Sequence, residues 1–309
     1  MEPAVKSISY PSATGLGDIY AEIYAPAEPP WALLQIAHGM AEHIGRYADF
    51  AGALAASGVL VAMNDHMGHG KSIPEGGHKG FFGDAGGAKN VVADMKALRD
   101  RVAEAYPGVP FALMGHSMGS FFSRAYAAKF TEDIDALILS GTAGKNPVIG
   151  LGKLLARRER RRHPRTPSAL LHRMSFGAYN RAFAPSRTEN DWLSADEAQV
   201  DKYAADPLCG YAFTAEAMLD VFDTLSSISG RKWAQSVPDI PVYIFSGAKD
   251  PVGAAGKGVR QVAAWLSDTG HRVRLKLYPE GRHEMLNEVN RPDVYAGILD
   301  FLKEAFPQP

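Results

Sequence analysis

One cysteine, Cys209, among 309 residues excludes an intrachain disulfide, and with it a small secreted scaffold held together by crosslinks. Charge of one sign is never in excess: 33 basic residues against 34 acidic ones leave a formal charge of −1, so no global field recruits nucleic acid and no acidic tail is expected. No stretch approaches the roughly 18 consecutive apolar residues of a membrane-spanning helix, and the longest apolar runs are strand-sized. The opening MEPAVKSISYPSATG lacks a basic segment followed by an apolar one, so no secretory leader is expected there and a cytoplasmic location is. No internal repeat or low-complexity tract is found. What remains, 46% hydrophobic and 22% charged residues, is the composition of a globular chain able to bury a sizeable core.

The apolar runs come in a definite order. VKSISYPSATGLGDIYAEIYAP alternates on both sides of a glycine-containing turn, which predicts an antiparallel hairpin at the start of a sheet. WALLQIAH, GVLVAMND, VPFALMGH and IDALILSG follow as short continuous apolar runs, the first three each leading into polar turn residues and a helical pattern. Val91, Met95, Leu98 and Val102 mark one such helix, and Phe50 and Leu54 another that ends on Gly58. Strand and helix in alternation predict a mostly parallel central sheet covered by helices on both faces. The alternation stops near residue 144 and resumes near 238 with IPVYIFSGAKD, a helix, HRVRLKLYPEGRHE and a last helix over 294–306. The expected organisation is therefore an α/β core in two parts, residues 1–143 and 238–309, interrupted by an inserted helical lid at 144–237.

Chemistry concentrates at three strand ends. Gly115-His116-Ser117-Met118-Gly119 sits where a strand turns into a helix, a place where a strained turn would project a serine hydroxyl outward. Asp250 lies in GAKDPV and His283 in GRHEML, each after another predicted strand. The carboxyl ends of parallel strands gather on one edge, so the three loops converge there. Their order, serine then aspartate then histidine, is that of the α/β-hydrolase triad. In that arrangement His283 accepts the Ser117 proton and Asp250 orients the imidazole and stabilises its charged form. A hydrolase also needs amide donors for the developing oxyanion, and the backbone N–H groups of Met40, in the loop after the third strand, and Met118 are the candidates.

IAHGMAEHIGRYADFAGALAASGVLVAMNDHMGHGKS, the GHSMG elbow, GAKDPV and GRHEMLNE together resemble the monoacylglycerol lipase and lysophospholipase group of α/β-hydrolase serine hydrolases. The resemblance implies a Ser117, Asp250 and His283 triad, an oxyanion hole at Met40 and Met118, and hydrolysis of a lipid-like ester through an acyl-enzyme with no cofactor. It also implies that Glu42 and Arg46 organise the pocket beside the nucleophile; the plain alternative is an ion pair supporting their own loop. Asp65, Gly68, His69, Gly70 and Ser72 match a second loop of the group, read as structural. The chain departs from the pattern twice. Ser120 stands where a second glycine is usual, and Leu286 occupies a substrate-binding position where a histidine near the glycerol end of the pocket is usual, which leaves the alcohol open.

The same triad serves short-chain, aryl-ester and thioester hydrolases, and a hydrolase-fold ligand receptor would lack turnover altogether. The run from Lys153 to His163 is the strongest charge feature; it reads as a solvated helix face or as a weak peripheral membrane contact through the lid. His38 with His43, and His66 with His69, lack the helical spacing of a zinc hydrolase, so no metal is expected. Cys209 reads as a small buried hydrophobe rather than a nucleophile, since no base stands beside it. Phe176, Tyr179, Phe183, Tyr211 and Phe213 read as core or as lining of an acyl pocket. Nothing in the sequence bears on oligomeric state.

Overall fold

Continuous apolar runs need cover on both sides, and the structure supplies it. It is a computed structural model that describes residues 3–84 and 86–307; residues 1, 2, 85, 308 and 309, with the outer bounds expected for the two core segments, lie outside the described residues. The elements run β1 (Ala4–Pro11), β2 (Asp18–Ala25), β3 (Ala32–Ala37), α1 (Ala48–Ala56), β4 (Val59–Asn64), α2 (Gly87–Ala105), β5 (Phe111–His116), α3 (Met118–Lys129) and β6 (Ala136–Ser140). Then come α4 (Ile149–Arg160), α5 (Ala169–Phe176), α6 (Glu197–Ala205), α7 (Ala215–Ser227) and α8 (Arg231–Ala234) before β7 (Val242–Gly247), α9 (Lys257–Ser267), β8 (Val273–Tyr278) and α10 (Arg291–Ala305).

The eight strands form one sheet in the order β1-β2-β4-β3-β5-β6-β7-β8. β1 and β2 are the antiparallel hairpin, with Ile8 opposite Ala21, and every pairing from β4 to β8 is parallel. β3 to β7 are buried along their whole length, whereas β1, at the edge, is mostly exposed. One apolar cluster holds Val91, Met95, Leu98 and Val102 of α2 with Phe122 and Tyr126 of α3. The other holds Phe50 and Leu54 of α1 with Val294, Ile298 and Phe301 of α10. α10 begins three residues before the expected Val294, because Pro292 is suited to a first helical turn.

The stretch between β6 and β7 is helical as expected, but it is not a separate layer. Ala217, Met218, Leu219, Val221 and Leu225 of α7, with Trp233 of α8, belong to the same apolar cluster as α2 and α3. Only the part around α5 and α6 stands over the edge of the sheet where the candidate loops lie, with Trp192, Leu193 and Tyr203 forming a small cluster of their own. Among the described residues no helix is long and apolar enough to cross a membrane.

α7 meets the start of α2 through a poorly solvated carboxylate. Burial, and then the neighbouring Glu216, raise the Asp220 carboxyl to about 7, and among the described residues its Oδ2 has no hydrogen-bond partner. A folded-state value above the unfolded one penalises the fold as pH rises from the unfolded pKa through the folded one. Asp220→Asn is therefore expected to raise the melting temperature by a few degrees near about pH 8 and by less near about pH 5. Thermal melts at the two pH values check this; an equal or larger gain at the acidic pH contradicts it.

Candidate active site

Ser117 joins β5 to α3 at φ 51° and ψ −119°, a conformation that a non-glycine residue adopts only under constraint. The constraint is the close crossing of the following helix over β3. A Cβ at Gly119 would lie 2.0 Å from the Ala37 carbonyl oxygen, and one at Gly115 would lie 2.4 Å from the Gly119 oxygen. Both glycines are thus required by approach distance. Ser120 does more than stay small: its hydroxyl donates to the Ser117 carbonyl at 2.5 Å and contacts Thr142 Oγ1 at 2.9 Å, bracing the turn.

Asp250 follows β7 and His283 follows β8, and the two loops touch where a Cβ at Gly247 would meet the Gly281 oxygen at 2.0 Å. His283 Nδ1 lies 3.0 Å from Asp250 Oδ1, and Asp250 is fully buried. The same Oδ1 accepts the Val252 N–H at 2.9 Å and Oδ2 accepts the Ser246 hydroxyl at 2.8 Å, which fixes the carboxylate plane. Burial on its own would disfavour the imidazolium of His283, but the facing Asp250 carboxylate outweighs it and raises the pKa above the ordinary value. The ring lies between His116, with centroids 4.7 Å apart, and Trp192, 5.1 Å apart. Ser117 and His283 line the same cavity, although no direct hydrogen bond joins them in this conformation.

The loop after β3 is pinned from both sides. His38 Nε2 faces the His66 N–H at 2.9 Å and must accept, so the proton sits on Nδ1 and is donated to the Gly39 carbonyl at 2.8 Å. Because a trans peptide points its C=O and N–H in opposite directions, anchoring the Gly39 oxygen also sets the direction of the Met40 N–H. Glu42 Oε1 takes the Gly39 N–H at 2.5 Å and the Tyr47 hydroxyl at 2.7 Å, while Oε2 takes Arg46 at 2.7 Å. Arg46 in turn grips both oxygens of Glu284, at 2.5 and 2.6 Å. Burial raises the Glu42 carboxyl, but Arg46 above all, with His116 and Tyr47, holds it below its usual value. Among the described residues the amides of Met40 and Met118 donate to no protein acceptor. His38, His66 and His69 are packed against one another; burial pushes all three down, His69 to about 4, so they stay neutral and serve as hydrogen-bonding struts.

These loops open into a cavity of about 770 Å³ walled by Met40, Glu42, Ser117, His283 and Glu284 on the core side. Phe176, Trp192, Tyr203, Cys209 and Tyr211 supply the opposite wall. Tyr179 and Phe183 pack beside Trp192, and Phe213 is buried in the main core. Arg46 meets the cavity wall through its ion pairs with Glu42 and Glu284 and by lying 4.8 Å over the Tyr203 ring. Leu286 does not join the site. It is 4% exposed in a short turn after His283 and packs in the α1 and α10 cluster, so an apolar side chain there follows from its burial in that core. Glu284 is the residue the sequence reading passed over; it directly follows His283 in GRHE. Ser246, Trp192 and Tyr203 carry no local signal.

A mostly parallel sheet in this strand order, with a serine on a strained strand-to-helix turn and a buried His–Asp pair beside it, defines an α/β-hydrolase. The chain belongs to the serine aminopeptidase S33 family, whose sequence model matches residues 28–290. It is 29% identical over 307 residues to the monoacylglycerol lipase of Mycolicibacterium smegmatis, with 95% of each chain covered. It is 30% identical over 286 residues to the monoglyceride lipase of Mus musculus, covering 91% of this chain and 84% of that one. Among solved structures, a highly thermostable carboxyl esterase from Bacillus coagulans in complex with glycerol superposes with a TM-score of 0.93 at 33% identity, covering 98% of this chain and 99% of that one. The chain is accordingly a serine ester hydrolase of the α/β-hydrolase superfamily, similar to monoacylglycerol lipases.

Proposed function

We propose that Ser117, His283 and Asp250 act as a triad that hydrolyses lipid-like carboxylic esters, monoacylglycerols or lysophospholipids, through an acyl-enzyme. The observation that carries this reading is the Ser117 turn and the His283–Asp250 pair opening into one walled cavity. Ser117 Oγ attacks the ester carbonyl as His283 takes its proton; the Met40 and Met118 amides hold the oxyanion; the proton passes to the departing alcohol. Water then repeats the path and frees the fatty acid. The named relatives support the substrate class, two being monoacylglycerol or monoglyceride lipases. Glu42 and Arg46 serve the oxyanion loop in this reading, and Leu286 has no part in binding. A cytoplasmic site of action belongs to it, testable by cell fractionation.

A second reading, a hydrolase of short or aryl esters, is favoured by the polar far wall, where Asn180, Ser186, Thr188 and Asn190 face the cavity. Chain-length profiling separates the two. The lipid reading expects kcat/KM on p-nitrophenyl esters to rise from acetate to chains of medium length or longer, as apolar burial adds about 0.8 kcal/mol per methylene; a maximum at acetate contradicts it.

The lid is narrower in this proposal than the 144–237 block: residues near α5 and α6 cover the cavity, while α7 and α8 belong to the core. Val148, at the N-cap of α4, and Leu151 and Leu154 within it are exposed, with Arg157, Arg158, Arg161 and Arg162 exposed beyond them. Lys153 and Arg160 are held by Asp223 and Glu216 instead. An apolar face rimmed by exposed arginines suits an anionic lipid surface, each arginine contributing about 1 kcal/mol there. Co-sedimentation with anionic vesicles is expected, and reduced binding when Leu151 and Leu154 become serine; equal binding by that variant contradicts the contact.

A further inference from the structure

No histidine pair has ligand spacing along the chain, yet the fold assembles ligands from two distant segments. His43, at the end of the oxyanion loop, places Nε2 2.9 Å from Asp206 Oδ2, beyond α6. Asp206 and Cys209 share one tight turn, closed by the Cys209 N–H on the Asp206 carbonyl at 3.0 Å. Leu208 N–H occupies Asp206 Oδ1 at 2.8 Å, which leaves Oδ2 for another partner. His43 nitrogen, Asp206 oxygen and Cys209 sulfur all lie within 4.8 Å of one another.

From this geometry we infer a regulatory site for a thiophilic divalent transition metal of the Zn²⁺ class, formed by His43, Asp206 and Cys209 at the cavity wall. A tetrahedral centre holds such ligands about 3.3–3.6 Å apart, so rotamer adjustments of about an ångström complete it, with water in the fourth position. Imidazole, carboxylate and thiolate together select Zn²⁺ or Co²⁺ over Mg²⁺ or Ca²⁺. Binding converts the Cys209 thiol to a metal thiolate and releases its proton to buffer. His43 Nδ1 accepts the Gly45 N–H at 3.2 Å, so the ring proton rests on Nε2; it moves to Nδ1 when Nε2 takes the metal, and that long contact is given up. Besides Asp206, the charged group that acts on the thiol is Arg46, itself paired with Glu42 and Glu284.

The consequence follows from what the ligands join. Cys209 lines the cavity, and on either side of the Asp206–Cys209 turn the Tyr203 hydroxyl and the Gly210 N–H bind the Ala41 carbonyl at 3.2 and 3.0 Å. Ala41 sits at φ 52°, next to Met40. A metal here ties the covering segment to the oxyanion loop and disturbs the turn after His43, so it inhibits.

The test is a Co²⁺ titration of the intact chain, followed by competition with Zn²⁺. One Co²⁺ per chain with a thiolate-to-cobalt charge-transfer band is expected. The band should vanish in Cys209→Ser, and affinity should fall roughly tenfold or more in His43→Gln and Asp206→Asn. Thermal melts establish that each variant is folded. Micromolar Zn²⁺ should depress ester turnover reversibly in the parent and less in Cys209→Ser. Absence of the band in the parent, or Co²⁺ binding unchanged in folded Cys209→Ser, overturns the site. The spectrum needs no turnover, so its failure leaves the ester-hydrolase reading intact.

Discussion

Ser117→Ala is expected to lower kcat/KM for p-nitrophenyl esters by at least about 10⁴-fold while leaving the fold intact. The chemical part of the argument is direct. Removing Oγ removes the only group proposed to form the acyl-enzyme, and what persists is water attack aided by the oxyanion amides. The structural part is that the substitution is benign. Ser117 is already at φ 51°, and alanine adopts that region no worse than serine. The turn itself is braced by Gly115, Gly119 and the Ser120 hydroxyl, none of which needs the Ser117 side chain. Circular dichroism and thermal melts should match the parent. A variant that retains parental turnover removes Ser117 from the mechanism; one that fails to fold would be replaced by Ser117→Gly, which adopts the positive φ without strain and carries no nucleophile.

Asp250→Asn is expected to lower kcat by between about 10² and 10⁴-fold, with a shift in pH dependence that a merely structural role would not produce. Asn can keep its oxygen toward His283 and the Val252 N–H while its amide donates to Ser246 Oγ, so the ring stays oriented. What is lost is the charge that stabilises an imidazolium in a site only 2% exposed. The sign is fixed by the balance at His283. In the parent, burial lowers its pKa but Asp250 raises it further, so the neutral, proton-accepting form is lost below an apparent pKa above the ordinary value. In the variant burial is opposed only by the weaker fields of Glu284 and Glu42, and the acidic limb of kcat/KM moves to lower pH. A profile whose acidic limb stays in place would show that Asp250 does not face the titrating base.

The three chemical loops were legible because each lies directly after a strand, and parallel topology alone brings strand ends together. Ser117, Asp250 and His283 needed no tertiary detail. The same holds for the α2 stripe, where Val91, Met95, Leu98 and Val102 are all buried. What local patterns could not reveal are contacts between the covering segment and the core. The Trp192 carbonyl accepts the His283 N–H at 3.4 Å and the Leu193 carbonyl the Glu284 N–H at 2.7 Å, contacts made across about ninety residues of sequence. Leu286 was misplaced for a similar reason. A residue three past His283 is near the site in sequence, but the short turn after it directs the side chain into the α1 and α10 core. α7 had the helical signature of its neighbours, and only packing distinguishes a core helix from a covering one.

Ser117 is proposed as an activated nucleophile at the floor of an open-mouthed cavity, and a fluorophosphonate probe tests this most directly. Incubation with the intact chain followed by peptide mass mapping should find one adduct, on Ser117, abolished in Ser117→Ala and slowed in Asp250→Asn. No adduct under conditions that label a known serine hydrolase, or an adduct that persists in Ser117→Ala, would contradict the account.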